Sequence, residues 1–465
     1  MTSDKFLEKY NRLNPEQRLV VDTIEGPVLV VAGAGTGKTE VLSLRVANIL
    51  QQTDTPPNAI LCITFTDSAA RNMRERLWKM IGTAAQKIHI HTFHSLGAEI
   101  INQNPEYFFD GAEYKVADDL AKIEILEKIL TSLPNNNPLK SYHPEEGWTY
   151  RRDILDRIRD LKQDGLTPTQ FKQLLEIDYE FIGQVQPVFQ QIFEVPNMRA
   201  FKLEDLKQFT NNLQELYADF QVKYENLETM NRIMGVKGQA DNSVTELIFP
   251  FKYQFWAKKF LASLAELWQI IDSQEKWSST PVTSWKNEWG KKDDYNRLFL
   301  KDCMNYSKYS ALAEIYEYYQ VEMHRSKLYD FDDMLLQVVE AFRQHPSLRY
   351  NYQEKYLYLL VDEFQDTNGV QMSLVDSFIN LEISDASPNI CAVGDDDQAI
   401  YKFQKATLEN IQSFREKYSG VKIITLKQNY RSRQDILDLA MQVISQSGTR
   451  LAHWPEVDKV LRAAN

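Results

Sequence analysis

The segment from residue 28 to residue 39, VLVVAGAGTGKT, constrains the fold of this 465-residue chain more than any other. A short apolar run typical of a buried strand is followed by glycines at 33, 35 and 37, and then by a helical pattern that reaches residue 51. Glycine lets backbone N–H groups wrap around an anion, and the N-terminus of the new helix adds positive charge. This order predicts a phosphate-binding P-loop in an α/β fold with a parallel sheet.

The P-loop predicts a site for ATP and Mg²⁺. Lys38 is expected to reach the β- and γ-phosphates, and the Thr39 hydroxyl is expected to hold Mg²⁺. A chance match of the short pattern, in a turn that binds nothing, is the alternative. The strand before the loop and the helix after it favour the nucleotide. The residues predicted to contact it here are Ala32, Gly33, Ala34, Gly35, Thr36, Gly37, Lys38, Thr39 and Glu40.

A second apolar run, at residues 356–361, ends in two carboxylates. A P-loop ATPase needs an acid at such a strand end to bind Mg²⁺, the role predicted for Asp362. It also needs a group that orients the attacking water, the role predicted for Glu363. The alternative is an acidic helix N-cap after a strand. Because these acids follow the P-loop at a great distance in sequence, the domain is predicted to be split by an insertion.

The distribution of apolar residues along the chain supports that division. Short apolar runs followed by polar or glycine-rich turns fill 13–100 and 355–430, which is typical of buried parallel strands. Between them, at about 106–328, apolar residues recur with helical spacing among mixed charges. The pattern therefore predicts an α/β domain that is interrupted by a large helical insertion.

Composition excludes some classes of protein and leaves others open. Lysine and arginine number 53 against 65 acidic residues, a net charge of −12, so a wholly basic nucleic-acid binder is excluded. An acidic protein with a local basic groove is still allowed. Cys62, Cys303 and Cys391 are too far apart for a disulfide framework or a CxxC metal site. With no secretory or membrane-spanning pattern, we expect a soluble, cytoplasmic protein without membrane partners.

Further blocks, in order along the chain, resemble the UvrD/Rep-like superfamily 1 DNA helicases. The blocks that carry the resemblance, besides the P-loop, are 13–17 (LNPEQ), 63–70 (ITFTDSAA), 92–95 (TFHS), 330–335 (DFDDML), 361–367 (VDEFQDT), 393–401 (VGDDDQAIY) and 428–432 (QNYRS). Several specific blocks in the order of the family leave little room for coincidence. The resemblance covers about 13–105 and 328–440.

The resemblance implies roles at the nucleotide. Gln17 would read the adenine, and Tyr430 would stack on it. Gln398 would sense the γ-phosphate and link it to DNA, while Arg431 would contact the γ-phosphate where charge develops in the transition state. Together with Lys38 and Glu363, Gln398 and Arg431 complete the predicted catalytic set.

The resemblance also implies a path for single-stranded DNA. The residues expected to line it are Phe65, Thr66, Thr92, His94, Tyr401 and Phe403. Aromatic rings there would stack on bases, which tolerates any sequence, as a translocase requires. The alternative for Phe403 is a buried core aromatic.

The implied architecture contains a RecA-like P-loop NTPase domain, a parallel sheet flanked by helices, with a large all-helical insertion. The predicted boundaries are 1–105 and 329–420 for the two parts of the first RecA-like motor domain, 106–328 for the insertion, and 421–465 for the truncated start of a second. Only 34 residues follow Arg431, so we expect a fragment of a longer protein or a site that another chain completes.

The expected function is an ATP-dependent DNA helicase that moves on single-stranded DNA, in the family's 3′ to 5′ direction, with single-stranded DNA or a single-strand/duplex junction as partner. The alternative is a DNA-stimulated ATPase switch, or a subunit that docks a repair or nuclease partner through the insertion, without strand separation. The long insertion and Gln404, which stands where the family has arginine, motivate the alternative. Glu40 also departs from the family, in which a basic residue is common at that position.

Overall fold

A computed structural model describes residues 4–108, 114–195, 198–224, 256–274, 276–293, 295–379, 388–398, 420–446 and 456–464, with a few single residues and pairs from 411 to 454. Its contacts divide the chain into two compact units. The sheet unit comprises Met1–Val116, Lys162–Gly165 and Tyr329–Asn465, and the helical unit comprises Ala117–Leu161 and Leu166–Leu328.

The helices and strands of the described residues are numbered in chain order. The helices are α1 (Asp4–Asn11), α2 (Pro15–Asp22), α3 (Lys38–Gln52), α4 (Asp67–Ile81), α5 (Phe93–Gln103), α6 (Asp119–Ser132), α7 (Arg151–Gln163), α8 (Pro168–Phe193), α9 (Leu203–Tyr224), α10 (Trp256–Asp272), α11 (Thr280–Trp289), α12 (Lys301–Arg325), α13 (Phe331–Gln344), α14 (Pro346–Lys355), α15 (Gly369–Ser377) and α16 (Gln434–Ile444). The strands are β1 (Val28–Ala32), β2 (Ile60–Thr64), β3 (His89–Thr92), β4 (Lys115–Val116), β5 (Tyr142–His143), β6 (Gly147–Trp148), β7 (Gly290–Lys292), β8 (Leu298–Leu300), β9 (Leu328–Tyr329), β10 (Tyr358–Val361), β11 (Ile390–Gly394), β12 (Lys422–Leu426), β13 (Gln428–Asn429) and β14 (Arg462–Ala463).

The sheet unit is built on a six-stranded sheet in the order β12-β1-β11-β10-β2-β3, in which every neighbouring pair is parallel. Strands β1, β2, β10 and β11 are buried along their whole length, as their unbroken apolar runs predict. Separate apolar clusters cover the two faces of the sheet. The predicted parallel α/β fold is therefore confirmed, and the carboxyl ends of all six strands meet at one edge.

Strand β12 begins just after the predicted boundary at residue 421 and joins the sheet of β1. It pairs in parallel with β1, from Val28 opposite Lys422 to Ala32 opposite Leu426. Ile424 and Leu426 are buried in the same cluster as β1. These apolar residues therefore complete the six-stranded sheet on the outer side of β1.

A buried ion-pair cluster holds the DFDDML block in place. The ammonium of Lys162, fully buried in the sheet unit, lies 2.7 Å from Asp330 and 2.7 Å from Asp333. Asp330 also caps α13, since its carboxylate accepts the backbone N–H of Asp333 at 2.8 Å. This block therefore has a structural task in the sheet unit.

The helical unit is organised around an aromatic core. Trp256 stacks on Phe260 with ring centroids 4.4 Å apart, and the Trp289 ring stands perpendicular to Phe260 at 4.8 Å. Two short antiparallel pairs, β5 with β6 and β7 with β8, also belong to this unit. The insertion predicted as all-helical is mostly helical and contains these two short strand pairs, the first of which turns at Gly147, where φ is 77°. Among the helices that the structure describes, none combines the length and apolar character needed to cross a membrane.

Candidate nucleotide-binding site

Loops from the carboxyl edge of the sheet enclose a pocket of about 580 Å³ in the sheet unit. Its walls come from the first helices, the loop after β1, and the segments that come after β10, β11 and β12. The lining residues are Lys9, Arg12, Leu13, Gln17, Ala34, Gly35, Gly37, Lys38, Thr39, Glu40, Arg76, Glu363, Gln398, Tyr430 and Arg431. The structure therefore brings together all four side chains of the predicted catalytic set.

The loop after β1 has the backbone conformation that the glycines predict. Gly35 and Gly37 have φ of 75° and 87°, and α3 starts directly after Gly37. The Thr36 hydroxyl donates to the Gly33 carbonyl at 2.8 Å inside the loop. Gln17 fastens the loop from outside, because its Nε2 donates to the Thr36 carbonyl at 2.9 Å. The first N–H groups of α3 have no acceptor within the helix itself, which makes the start of this helix suitable for binding phosphate.

Asp362 lies at the end of β10 and is 3% exposed. Its carboxylate accepts the backbone N–H of Glu363 at 3.0 Å. Burial, followed by the nearby charge of Glu363, raises the pKa of Asp362 to about 6, against the lowering effect of Lys38. Because burial disfavours the charged form of this carboxylate, a bound cation would stabilise that form, and Mg²⁺ prefers oxygen ligands. Asp362 and the Thr39 hydroxyl thus both offer oxygen atoms of the kind that Mg²⁺ prefers; Thr39 is among the residues that line the pocket, and Asp362 is not.

Glu363 is held in an unusual backbone conformation beside Lys38. Its φ of 50° and ψ of 43° place a residue with a side chain in the left-handed region. Its Oε2 lies 2.5 Å from the Lys38 ammonium and accepts from Gln365 Nε2 at 2.9 Å. The predicted base and the P-loop cation are therefore an ion pair in this structure.

Glu363 is linked to Gln398 through two buried residues. The Gln365 side-chain oxygen accepts the backbone N–H of Asp395 at 3.0 Å, and the Asp395 carboxylate accepts from Gln398 Nε2 at 2.6 Å. A Cβ at Gly394 would lie 2.8 Å from that Gln365 oxygen, so the glycine leaves room for the link. Gln365 and Asp395 belong to the sequence motifs, but the motifs alone do not reveal that these two residues form this link.

The QNYRS segment docks directly on the P-loop. Buried Asn429 donates from Nδ2 to the Ala34 carbonyl at 2.5 Å, and its Oδ1 accepts the N–H groups of Arg431 at 2.8 Å and Ser432 at 2.7 Å. The Tyr430 N–H donates to the Gly35 carbonyl at 2.9 Å. Asn429 therefore fixes this segment to the P-loop. The sequence motif contains Asn429, but it gives no sign of this role.

The Tyr430 ring is 50% exposed at the pocket and is oriented by its hydroxyl. The hydroxyl donates to Gln428 Oε1 at 3.0 Å and accepts from Asn14 Nδ2 at 3.0 Å. Asn14 in turn forms a reciprocal capping box with Gln17 at the start of α2. The two residues predicted at the adenine, Gln17 and Tyr430, are thus joined through Asn14.

Glu40 lines the pocket and is paired there with two cations. It forms ion pairs with Lys9 of α1 and Arg76 of α4, and all three line the pocket. These contacts join segments far apart in sequence, so no local pattern could have revealed Lys9 or Arg76. They supply positive charge beside a residue that departs from the family pattern.

Four of the predicted DNA-facing residues lie at or just after the ends of β2 and β3, at the same edge of the sheet. Phe65 is half-buried, and the exposed Thr66 caps α4 by accepting from Ala69 N–H at 3.1 Å. Buried Thr92 caps α5 by accepting from Ser95 N–H at 3.2 Å. The His94 ring stands edge-on to Phe331, with centroids 5.7 Å apart. Tyr401, Phe403 and Gln404 lie outside the described residues.

Three consecutive aspartates after β11 surround one lysine. The Lys459 ammonium lies 3.0 Å from Asp395 and 3.0 Å from Asp397, and it also contacts Asp396. Burial lowers the pKa of Lys459, but the three carboxylates outweigh it and the pKa is raised overall. Sequence reasoning assigned no role to Lys459, because nothing near it in sequence suggests a partner.

Comparison with known proteins agrees with this geometry. The family model of the UvrD/REP helicase N-terminal domain matches residues 13–419. A protein of Leuconostoc citreum named ATP-dependent DNA helicase PcrA is 27% identical over 452 residues, which is 97% of this chain and 41% of that protein. The protein of the same name from Staphylococcus aureus strain Mu50 is 26% identical over 440 residues, 95% of this chain and 41% of its own length. The chain thus spans less than half the length of these relatives.

Proposed function

The chain belongs to the UvrD/REP helicase family, and on that premise we propose that it is the N-terminal motor portion of an ATP-dependent DNA helicase. The proposed activity couples ATP hydrolysis to movement on single-stranded DNA in the 3′ to 5′ direction. One observation carries the proposal: a single pocket joins the P-loop to Glu363, Gln398 and Arg431, which come from three other strand ends.

In the proposed binding step, the loop that begins at Gly33 receives the phosphates. Its N–H groups and the Lys38 ammonium supply positive charge, and the Tyr430 ring offers a face for the adenine. Thr39 and Asp362 would hold Mg²⁺, which neutralises phosphate charge when it is bound. Asn429 keeps the ring and the loop in fixed relation through its bonds to the Ala34 carbonyl and to the Arg431 N–H.

The Lys38–Glu363 ion pair indicates how binding prepares hydrolysis. A phosphate anion competes with the Glu363 carboxylate for the same ammonium. Once Lys38 turns to the phosphate, Glu363 is free to orient a water molecule and accept its proton. Arg431, also in the pocket, would stabilise the charge that develops on the transferred phosphoryl group.

The proposed coupling to DNA uses the common edge of the sheet. Gln398 senses the γ-phosphate and is bonded to Asp395, which connects through Gln365 to Glu363. Phe65 and Thr66 come after β2 at the same edge and would contact the strand. A change of nucleotide state at Gln398 can then alter the positions of the residues that contact DNA.

ATP hydrolysis with and without single-stranded DNA tests the nucleotide half of the proposal. We expect hydrolysis by the chain to fall to background in Lys38→Ala, while Lys79→Ala, which removes an exposed lysine of α4, behaves as the parent. Equal hydrolysis in Lys38→Ala and the parent would overturn the assignment of the site.

Unwinding by the longer protein that contains this chain tests the DNA half. Duplexes with a 3′ or a 5′ single-stranded tail should be compared, and we expect unwinding from the 3′ tail. Unwinding from the 5′ tail would contradict the direction. DNA-stimulated hydrolysis without unwinding of either duplex would favour the alternative of an ATPase switch.

A further inference from the structure

Two histidines and a glutamate meet on the sheet unit away from the nucleotide pocket. His89 and His91 lie two positions apart on strand β3, so both side chains project from the same face. Glu99 of α5 reaches both: its Oε1 lies 3.7 Å from His89 Nδ1, and its Oε2 lies 3.3 Å from His91 Nε2. One potential ligand atom from each of the three residues lies within 4.8 Å of the other two.

These separations fit a shared ion better than hydrogen bonds. A good N–H···O bond spans about 2.7–3.2 Å, which is shorter than both distances. Two ligand atoms about 2.0–2.1 Å from one tetrahedral Zn²⁺ lie about 3.3 Å apart. The Glu99 carboxylate also accepts from Gln103 Nε2 at 3.0 Å, a bond that orients a ligating carboxylate.

The state of the histidines also suits ligation. Burial, followed by the charge of Lys355, lowers the pKa of His89. Burial lowers the pKa of His91 as well, and Arg74 and Lys355 add to this against the raising effect of Glu99. Both shifts favour the neutral imidazole, which is the form that binds metal. With side chains 21%, 16% and 26% exposed, the three residues are still reachable from solvent.

A buried hydroxyl beside the cluster has no partner among the described residues. The Tyr356 ring stands edge-on to His89 with centroids 5.2 Å apart, and its hydroxyl makes no hydrogen bond in the described part of the chain. A water molecule on a bound ion would give Tyr356 the partner that a buried hydroxyl normally has.

We propose that His89 Nδ1, His91 Nε2 and the Glu99 carboxylate form a site for a divalent transition-metal ion of the Zn²⁺ class, with water as a further ligand. Two imidazole nitrogens and one carboxylate are a donor set that suits Zn²⁺ rather than Mg²⁺. The ion would fasten the edge strand β3 to α5, a structural task that is separate from the nucleotide pocket.

Zn²⁺ binding by the whole chain, measured by equilibrium dialysis in excess Mg²⁺, tests the site. We expect the double variant His89→Ala/His91→Ala to lose at least about tenfold in affinity. Glu99→Gln, which keeps shape but removes charge, should also weaken binding. His143→Ala, which removes an exposed histidine of β5 in the helical unit, should bind as the parent does.

Co²⁺ provides a second readout, since its visible absorption reports nitrogen and oxygen ligation directly. We expect a spectrum with the parent that is lost in the double variant, and a thermal unfolding midpoint that Zn²⁺ raises for the parent alone. Failure of the parent to bind Zn²⁺, or equal binding by the parent and the double variant, would overturn the proposal. Circular dichroism of the double variant shows that any loss is not unfolding.

Discussion

The Lys38 ammonium and the Glu363 carboxylate lie 2.5 Å apart, although 325 positions separate the two residues in sequence. The pair is largely shielded from solvent, with side chains 11% and 34% exposed. The charge of each side chain is therefore neutralised by the other in this structure. Because mutual attraction holds the P-loop cation and the proposed base together, removing the charge of one should release the other.

Glu363→Gln should separate binding from hydrolysis. The amide cannot accept a proton, so we expect single-turnover ATP hydrolysis to fall by about a hundredfold or more. Nucleotide affinity should be retained, because Lys38 is released to the phosphates. Rapid-quench assays and binding of a fluorescent nucleotide measure the two quantities. Glu354→Gln, at an exposed position of α14, is the matched control. Hydrolysis within threefold of the parent would remove Glu363 from the proposed role.

Tyr430 offers a test in which ring and hydroxyl are separated. We expect Tyr430→Ala to weaken ATP binding by about tenfold, since a stacked aromatic ring contributes about 1–3 kcal/mol. Tyr430→Phe keeps the ring and loses only the bonds to Gln428 and Asn14, so it should stay within about threefold. Titration with ATP and with inorganic triphosphate distinguishes the contribution of the base. Equal losses in both variants would speak against stacking.

Lys459→Met tests the aspartate cluster after β11. Removing the cation leaves three carboxylates, two of them buried, without their partner, and we expect a loss of about 3–5 kcal/mol in the free energy of unfolding. Lys427→Met is the matched control, because Lys427 pairs with Asp458 at 2.7 Å in solvent, with side chains 36% and 49% exposed. It should cost at most about 1 kcal/mol. Urea unfolding of both variants decides, and similar losses would contradict the prediction.

Asp332→Asn should stabilise the protein in a pH-dependent way. Burial, followed by the charge of Asp330, raises the pKa of Asp332 to about 6, against the lowering effect of Lys162. The folded state therefore holds this proton more tightly than the unfolded state. The contribution is fully present below about pH 4 and is lost as pH rises through 6.

At pH 8 the ionised carboxylate of Asp332 destabilises the folded state, and Asn removes that charge. We therefore expect a gain of about 1–3 kcal/mol in the free energy of unfolding. At pH 4.5 the gain should be small. Urea unfolding at both pH values measures it, with Asp119→Asn as the control because the Asp119 side chain is 95% exposed. A gain that is the same at both pH values would show that the titration of Asp332 is not the cause.

Much of the pocket could be predicted from sequence because its residues stand at the ends of parallel strands. The apolar runs before Lys38, Asp362 and Gln398 identify strands, and parallel strands place their carboxyl ends together. The proximity of these side chains was therefore predictable, while their chemical roles remain predictions.

Other contacts carry no local signal. Lys459 and Asp395 meet because a late segment folds back, and Glu40 meets Arg76 because α3 packs beside α4. Charged side chains at such distances in sequence have no period that identifies a partner. The pairing of β12 with β1 was not predicted for a related reason: its apolar pattern predicts a strand, but a pattern does not say which sheet the strand joins.

The position of β12 has a consequence for any attempt to divide this protein. A chain cut at residue 420, just after the matched family region, would lose β12 and leave one whole edge of β1 without backbone partners. The five residues of β1 are all buried and apolar. An open, apolar edge of this kind recruits strands from other molecules. Chains that end before β12 should therefore aggregate during expression. The shortest fragment that folds without aggregating must extend past Leu426.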